Sequence, residues 1–178
     1  MPSSQVLHVE DAIQRISRRV PEMRAIESLI CRVITILGRD ITSRLDEALQ
    51  SSGLAELEFR TLLTIFSRDG TATPSDLSAS LAQSPANLTR LTDVLVHRGL
   101  ITRSISDQDR RRTLLDITPA GERLLRELLP QMASYSSALF RGFSAEDKTR
   151  LLADLKRLLG ALDALQLHAP EAETASAT

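Results

Sequence analysis

The sequence predicts a mostly α-helical protein carrying one small β-hairpin, and three observations predict it. Apolar residues recur at spacings of three and four along most of the 178-residue chain. A hydroxyl residue followed by proline stands three times where such a run begins. One stretch, SDQDRRRTLLDI, instead sets a short β-type run behind a charged turn.

Residues 1–8 and the tail 168–178 (HAPEAETASAT) are expected to be disordered, the tail being small, polar and without apolar spacing. Val9 to Val20 can supply a short helix. From Ala25 to Leu49 the residues Ile26, Leu29, Ile30, Val33, Leu37, Ile41, Leu45 and Leu49 form one apolar stripe, the mark of a long helix, and Gly53 stops it. A shorter helix, about Ala55 to Ser67, turns Leu57, Phe59, Leu62, Leu63 and Phe66 inward and ends at Arg68-Asp69-Gly70.

Thr73-Pro74-Ser75-Asp76 and Ser84-Pro85-Ala86-Asn87 open alike: the hydroxyl accepts an orphan backbone N–H, and proline costs nothing at the first helical position. They start helices over about Pro74 to Leu81 and Pro85 to Arg98, separated by Ala82, Gln83 and the cap, which is helix-turn-helix spacing. Gly99 breaks the second. Leu100 to Ile105 and Thr113 to Ile117 then read as two strands around SDQDRRR. Thr118-Pro119 opens another long helix through Leu124, Leu125, Leu128, Leu129, Met132, Tyr135 and Leu139, with Pro130 expected to bend it. Ser144-Ala145-Glu146-Asp147 starts the last helix, whose apolar stripe runs from Leu151 to Leu165.

Helix, short turn, helix and a hairpin with a cationic tip is the order of a winged helix-turn-helix lobe, here residues 54–118. The helices of 9–53 and 119–167 flank it and form a helical dimerisation lobe, because so wide an apolar stripe asks for more cover than one small lobe gives. Packing within the chain itself is the rival explanation.

The net charge is −1 and the pI about 6.3, so contact with a polyanion must come from a local patch. Arg110, Arg111 and Arg112, with Arg103 on the facing strand, supply one: against duplex phosphates they would release counterions, and an arginine at a thin tip can enter a narrow minor groove. Asp109 is expected to pair with the Arg111 guanidinium and hold it in one orientation. On the helix that follows Ser84 and Pro85, Leu88, Leu91 and Leu95 mark the buried face, which leaves Asn87, Thr89, Arg90 and Asp93 outside. Arg90 is the first choice for a base or phosphate contact, Thr89 suits phosphate or a thymine methyl, and Asn87 serves either an adenine edge or the helix cap. His97 and Arg98 complement the helix dipole.

No phosphate-cradling loop, HExxH or paired CxxC occurs, and His8, His97 and His168 are scattered, so neither metal, cofactor nor enzymatic activity is expected. One cysteine, Cys31, allows no internal disulfide. With no secretory leader and no apolar run near the roughly 20 residues of a membrane span, a soluble cytoplasmic protein is expected.

The segment TPSDLSASLAQSPANLTRLTDVLVHRGLITRSISDQDRRRTLLDITPAG resembles the MarR family of dimeric bacterial transcription regulators. The family's wing motif is matched by Asp109, Arg111, Ile117-Thr118 and Gly121, and the likeness extends from about Leu29 to Leu165. Within the family it is nearest the EmrR/MprA type, through LICRVITILGRDI, TATPSDLSASL and ERLLRELLPQ. The resemblance implies a homodimer on a pseudo-palindromic operator, acting as a repressor of a multidrug efflux operon and released by small aromatic or amphipathic molecules. It also implies an effector site between the helical body and the DNA-binding lobe, for which Arg44, Glu58, Phe59, Arg60 and Phe66 are candidates, although phenylalanines at helical spacing more often make core. The urate-responsive branch fits poorly: the chain has no tryptophan, and Arg60 follows Glu58-Phe59 where that branch is acidic. Cys31 sits where peroxide-sensing members keep a reactive thiol, but Tyr135 is the lone tyrosine, and an inert core cysteine is the preferred reading over thiol-switched repression. A helical protein-interaction module that never meets DNA is the alternative from another class.

Overall fold

The computed structural model describes residues 4–106 and 109–165. Asp107 and Gln108 of the hairpin turn, and the tail from His168 to Thr178, lie outside the described residues. The elements, in chain order, are helix α1 (Ser4–Ser17), α2 (Ala25–Leu49), a 3-10 turn (Gln50–Ser52), α3 (Glu56–Phe66), strand β1 (Thr71–Ala72), α4 (Pro74–Leu81), α5 (Pro85–His97), β2 (Ile101–Ile105), β3 (Thr113–Ile117), α6 (Pro119–Leu139) and α7 (Ala145–Ala164).

Helix α1 begins at Ser4, so residues Ser4–His8, expected to be disordered, form its first turns. Tertiary packing overrides the weak local signal: Ile13 is buried against the rest of the unit, and the Arg39 guanidinium of α2 donates to the Gln5 side chain at 3.5 Å.

The hydroxyl caps behave as the sequence requires. Thr73 Oγ1 accepts the Asp76 N–H while Asp76 reaches back to the Thr73 N–H, and Ser144 and Asp147 repeat that reciprocal box. Ser84 Oγ accepts the Asn87 N–H. Between α4 and α5, Ala82 takes a left-handed conformation (φ 50°), which turns the chain without a glycine.

The hairpin pairs Ile101 with Ile117 at its base and Ile105 with Thr113 toward its tip. A third strand, absent from the sequence-based expectation, adds β1 to the far side of β3. Asp116 binds the three strands together, accepting from Thr71 Oγ1 at 2.6 Å and Ser104 Oγ at 3.1 Å.

The chain divides into two compact units, Met1–Met132 and Ala133–Thr178. This division falls inside α6, because Leu125, Leu128 and Met132 are buried in the same core as Phe59, Leu62, Ile65, Leu77, Leu95 and Leu115. Helix α6 continues through Pro130 to Leu139. The second unit has little core of its own: no residue of α7 is buried, and Leu152, Leu159 and Leu162 stand more than half exposed.

Candidate nucleic-acid interface

Helix α5 carries its apolar residues Leu88, Leu91 and Leu95 into the core, as their spacing predicts, and Thr92 joins them. The opposite face is left to Thr89, Arg90 and Asp93, all exposed, with Ser84 and Pro85 exposed at the start. Their polar atoms are ordered in a row: Gln83 Oε1 accepts from Asn87 Nδ2 at 2.6 Å, and Asn87 Oδ1 accepts from Arg90 Nη2 at 3.4 Å. The Asn87 amide is thus tied to the residue before the cap and orients Arg90. Thr89 Oγ1 donates to its own helix at Pro85 O (3.0 Å).

The hairpin stands beside this face. Arg110, Arg111 and Arg112 are all exposed at its tip. Asp109 does something other than the expected pairing: its Oδ1 accepts the backbone N–H of Arg111 at 3.0 Å, and its carbonyl accepts the Arg112 N–H at 2.9 Å. The aspartate shapes the turn, since an Asx carboxylate two residues before an N–H closes a local ring more readily than it reaches a long side chain.

Arg103 is likewise not a free phosphate ligand. Its Nη2 donates to Thr92 Oγ1 at 2.8 Å and to Asp93 Oδ1 at 2.9 Å, so it fastens β2 to α5. A cation so engaged sets where the hairpin stands relative to the helix. At the other side, Arg68 Nη1 lies 3.2 Å from Asp76 Oδ1. Hydrogen bonds from the Thr73 hydroxyl and N–H hold the Asp76 carboxyl below the usual carboxylate range, with Arg68 and Arg112 adding to the effect.

Between α4, α5 and the hairpin lies a hollow of about 420 Å³, lined among others by Pro74, Leu77, Leu88, Thr89, Thr92 and Arg103. None of the five residues proposed for an effector lines it. Phe59 is in the core, as phenylalanines at that spacing tend to be. Glu58 Oε2 caps α3 through the Ala55 N–H at 3.1 Å. Arg60 lies 3.5 Å from Glu56, whose carboxyl burial pushes up against the opposing pull of Arg60. Arg44 sits on α2 near Glu47, and the Arg126 guanidinium covers the Phe66 ring at 5.6 Å. Cys31 is exposed on α2, not a core residue, because the buried positions of that helix, Ile36 and Leu49, lie elsewhere.

Sequence reasoning missed the bonds that fix the frame. Arg98 was assigned to the helix dipole, yet its Nη1 donates to Gly53 O at 2.7 Å and its Nη2 to Ser52 O at 2.9 Å. Gly121 is required by proximity: a Cβ there would stand 2.3 Å from the Leu100 carbonyl oxygen, where α6 starts against β2. Thr118 Oγ1 closes the same joint, donating to Gly99 O at 2.7 Å and accepting the Gly121 N–H at 3.1 Å. Among the described residues no group of three or more His, Cys, Asp or Glu side chains is gathered to hold a metal ion. No helix among them is long and apolar enough to cross a membrane.

Residues 54–113 match the model of the MarR family. The transcriptional repressor MprA of Escherichia coli K12 is 33% identical over 141 residues, which is 79% of this chain and 80% of MprA. The crystal structure of AbsC, a MarR family transcriptional regulator from Streptomyces coelicolor, superposes with a TM-score of 0.74 at 23% identity over 80% of this chain and 98% of AbsC. A C80S mutant of E. coli MarR complexed with operator DNA superposes at 0.68, with 22% identity over 80% of this chain and 96% of that one. With the family model matched over residues 54–113 and a repressor 33% identical over most of both chains, the chain belongs to the MarR family, whose members are transcription regulators and not enzymes.

Proposed function

We propose that the protein is a cytoplasmic homodimeric repressor that binds a pseudo-palindromic operator, with α5 of each copy in a major groove and the arginine tip at the flanking minor groove. The observation that carries this reading is the Arg103 bridge: it holds exposed Thr89 and Arg90, with half-buried Asn87 beside them, at a fixed offset from three exposed arginines. A helix that reads base edges beside a cationic point that follows the backbone is what a duplex requires.

Two copies are needed because each unit leaves apolar surface uncovered. Ile26, Ile30 and Leu37 of α2 are 64%, 46% and 50% exposed in the first unit, and α7 exposes a ladder of leucines in the second. A two-fold pair would bury these surfaces and set two α5 helices about 34–36 Å apart.

The efflux role and the effector follow from the likeness to MprA and to the EmrR/MprA type. A small aromatic or amphipathic molecule releases DNA only by preferring the arrangement that cannot bind it. Arg44, Glu58, Phe59, Arg60 and Phe66 remain proposed contacts for it; the 420 Å³ hollow behind Thr89 and Arg103 is of a size for a small ligand and borders the DNA-facing residues directly. The test is a gel-shift titration against DNA upstream of the protein's own gene and of the genes beside it. Retarded bands that disappear with planar aromatic acids or uncouplers support the reading, and no retardation at low salt overturns it.

A further inference from the structure

Arg98 ends α5, but its guanidinium does not serve that helix. Nη1 and Nη2 donate to the carbonyls of Gly53 and Ser52 at 2.7 and 2.9 Å, and Nη1 lies 3.5 Å from Glu58 Oε2. These acceptors form the corner where α2 runs out through the 3-10 turn into α3. The corner is itself tied to α2, since Asp46 Oδ1 accepts the Glu56 N–H at 2.6 Å, and to α3, since Glu58 also accepts the Ala55 N–H. Gly53 stands at φ 67°, and a Cβ there would come within 3.6 Å of Arg98 Nη2. One connected set of bonds therefore runs from α2 to the last turn of α5.

We propose that Arg98 is a positioning residue for operator recognition: it pins the C-terminal end of α5 to the end of α2 and so sets the separation of the two recognition helices in the dimer. The inference rests on the dimeric reading above.

The planar fork of an arginine engages two carbonyls in one orientation, which a flexible point charge does not do. The N-terminal end of α5 makes only local bonds, Ser84 and Gln83 each accepting from Asn87, while Leu88, Leu91 and Leu95 pack its inner face into the core. With Arg98 removed, α5 keeps its core packing and the Arg103 bridge but loses its tie to the end of α2. A helix of 13 residues is about 20 Å long. A tilt of about 10° then displaces one end by about 3.4 Å, the rise of one base pair. The error is of the size that a half-site spacing registers.

The experiment uses an operator recovered by selection from random duplex DNA with the wild-type protein, together with derivatives in which one base pair is inserted or deleted between the half-sites. Wild type is expected to prefer the selected spacing by about tenfold or more. Arg98→Ala is expected to bind all three spacings about equally while keeping wild-type affinity for an isolated half-site, and Arg98→Lys to recover part of the preference. Where Arg98→Ala does not fold, Arg98→Lys alone carries the test, since it keeps a cation at Glu58 but lacks the fork. A folded variant that keeps the full wild-type preference overturns the inference and leaves the dimer standing. A wild type indifferent to spacing overturns the dimeric reading instead, and the inference with it.

Discussion

Arg103 of β2 bonds Asp93 and Thr92 of α5 at 2.9 and 2.8 Å, so the hairpin is fastened to the side of α5. Both ion-pair partners are substantially exposed, at 42% and 57%, so the bridge adds at most about 1 kcal/mol to stability. Its effect on DNA has an unusual sign. Asp93→Ala removes a negative charge from the face proposed for DNA and leaves Arg103 held by Thr92 alone, so binding to random DNA should strengthen, while the ratio of operator to random affinity should fall. Competition titrations at fixed salt read both quantities, and an unchanged ratio would show that the bridge does not set specificity.

At the tip the proposed role of the exposed arginines rests on their charge. Arg111→Ala should leave the thermal midpoint within experimental scatter, because the residue is exposed. It should weaken operator binding and reduce the slope of log affinity against log salt by about one. Affinity and slope both equal to wild type would remove the tip from the interface.

Gly121→Ala tests the joint between the hairpin and α6. The new methyl group would meet the Leu100 carbonyl oxygen at 2.3 Å and an Ile117 side-chain carbon at 2.9 Å. The carbonyl cannot yield without disturbing its bonds from the Thr118 N–H and hydroxyl. A loss of about 2–3 kcal/mol is expected, seen in denaturant midpoints at unchanged slope. A variant as stable as wild type would mean that α6 can move away freely.

The Asp76 carboxylate gives a pH signature. Its pKa in the fold is lowered from 3.8, first by the Thr73 hydrogen bonds and then by Arg68 and Arg112. A depressed carboxyl contributes stability that is present above its unfolded pKa and is lost as pH falls through the folded one. Asp76→Asn should therefore melt below wild type at neutral pH, and the gap should close as pH drops below about 3.8. A gap that stays constant down to pH 3 would assign the difference to shape rather than charge.

Much of this frame was legible because the signals are local. Thr73-Pro74, Ser84-Pro85 and Ser144 announce helix starts through bonds made within three residues, and Leu88, Leu91 and Leu95 mark a buried face by spacing alone. Strand β1 escaped notice because two residues, Thr71 and Ala72, are too few to show a period, and they pair with β3 more than forty residues onward. The site divides in the same way. Exposed Arg90 and Arg110–Arg112 follow from pattern and charge, whereas the true partners of Arg103 and Arg98 are set by how separate elements pack. Asp109 shows the hazard of guessing between near neighbours: the backbone N–H of Arg111 was a closer donor than its guanidinium.

The most direct test of the central claim is chemical footprinting of the wild-type protein on its selected operator. Two protected tracts are expected on one face of the duplex, centred about 10–10.5 base pairs apart, with guanine N7 shielded in each major groove and flanking minor-groove protection that vanishes with Arg111→Ala. A single tract, or protection without major-groove contacts, would contradict the paired presentation of α5 and the wing.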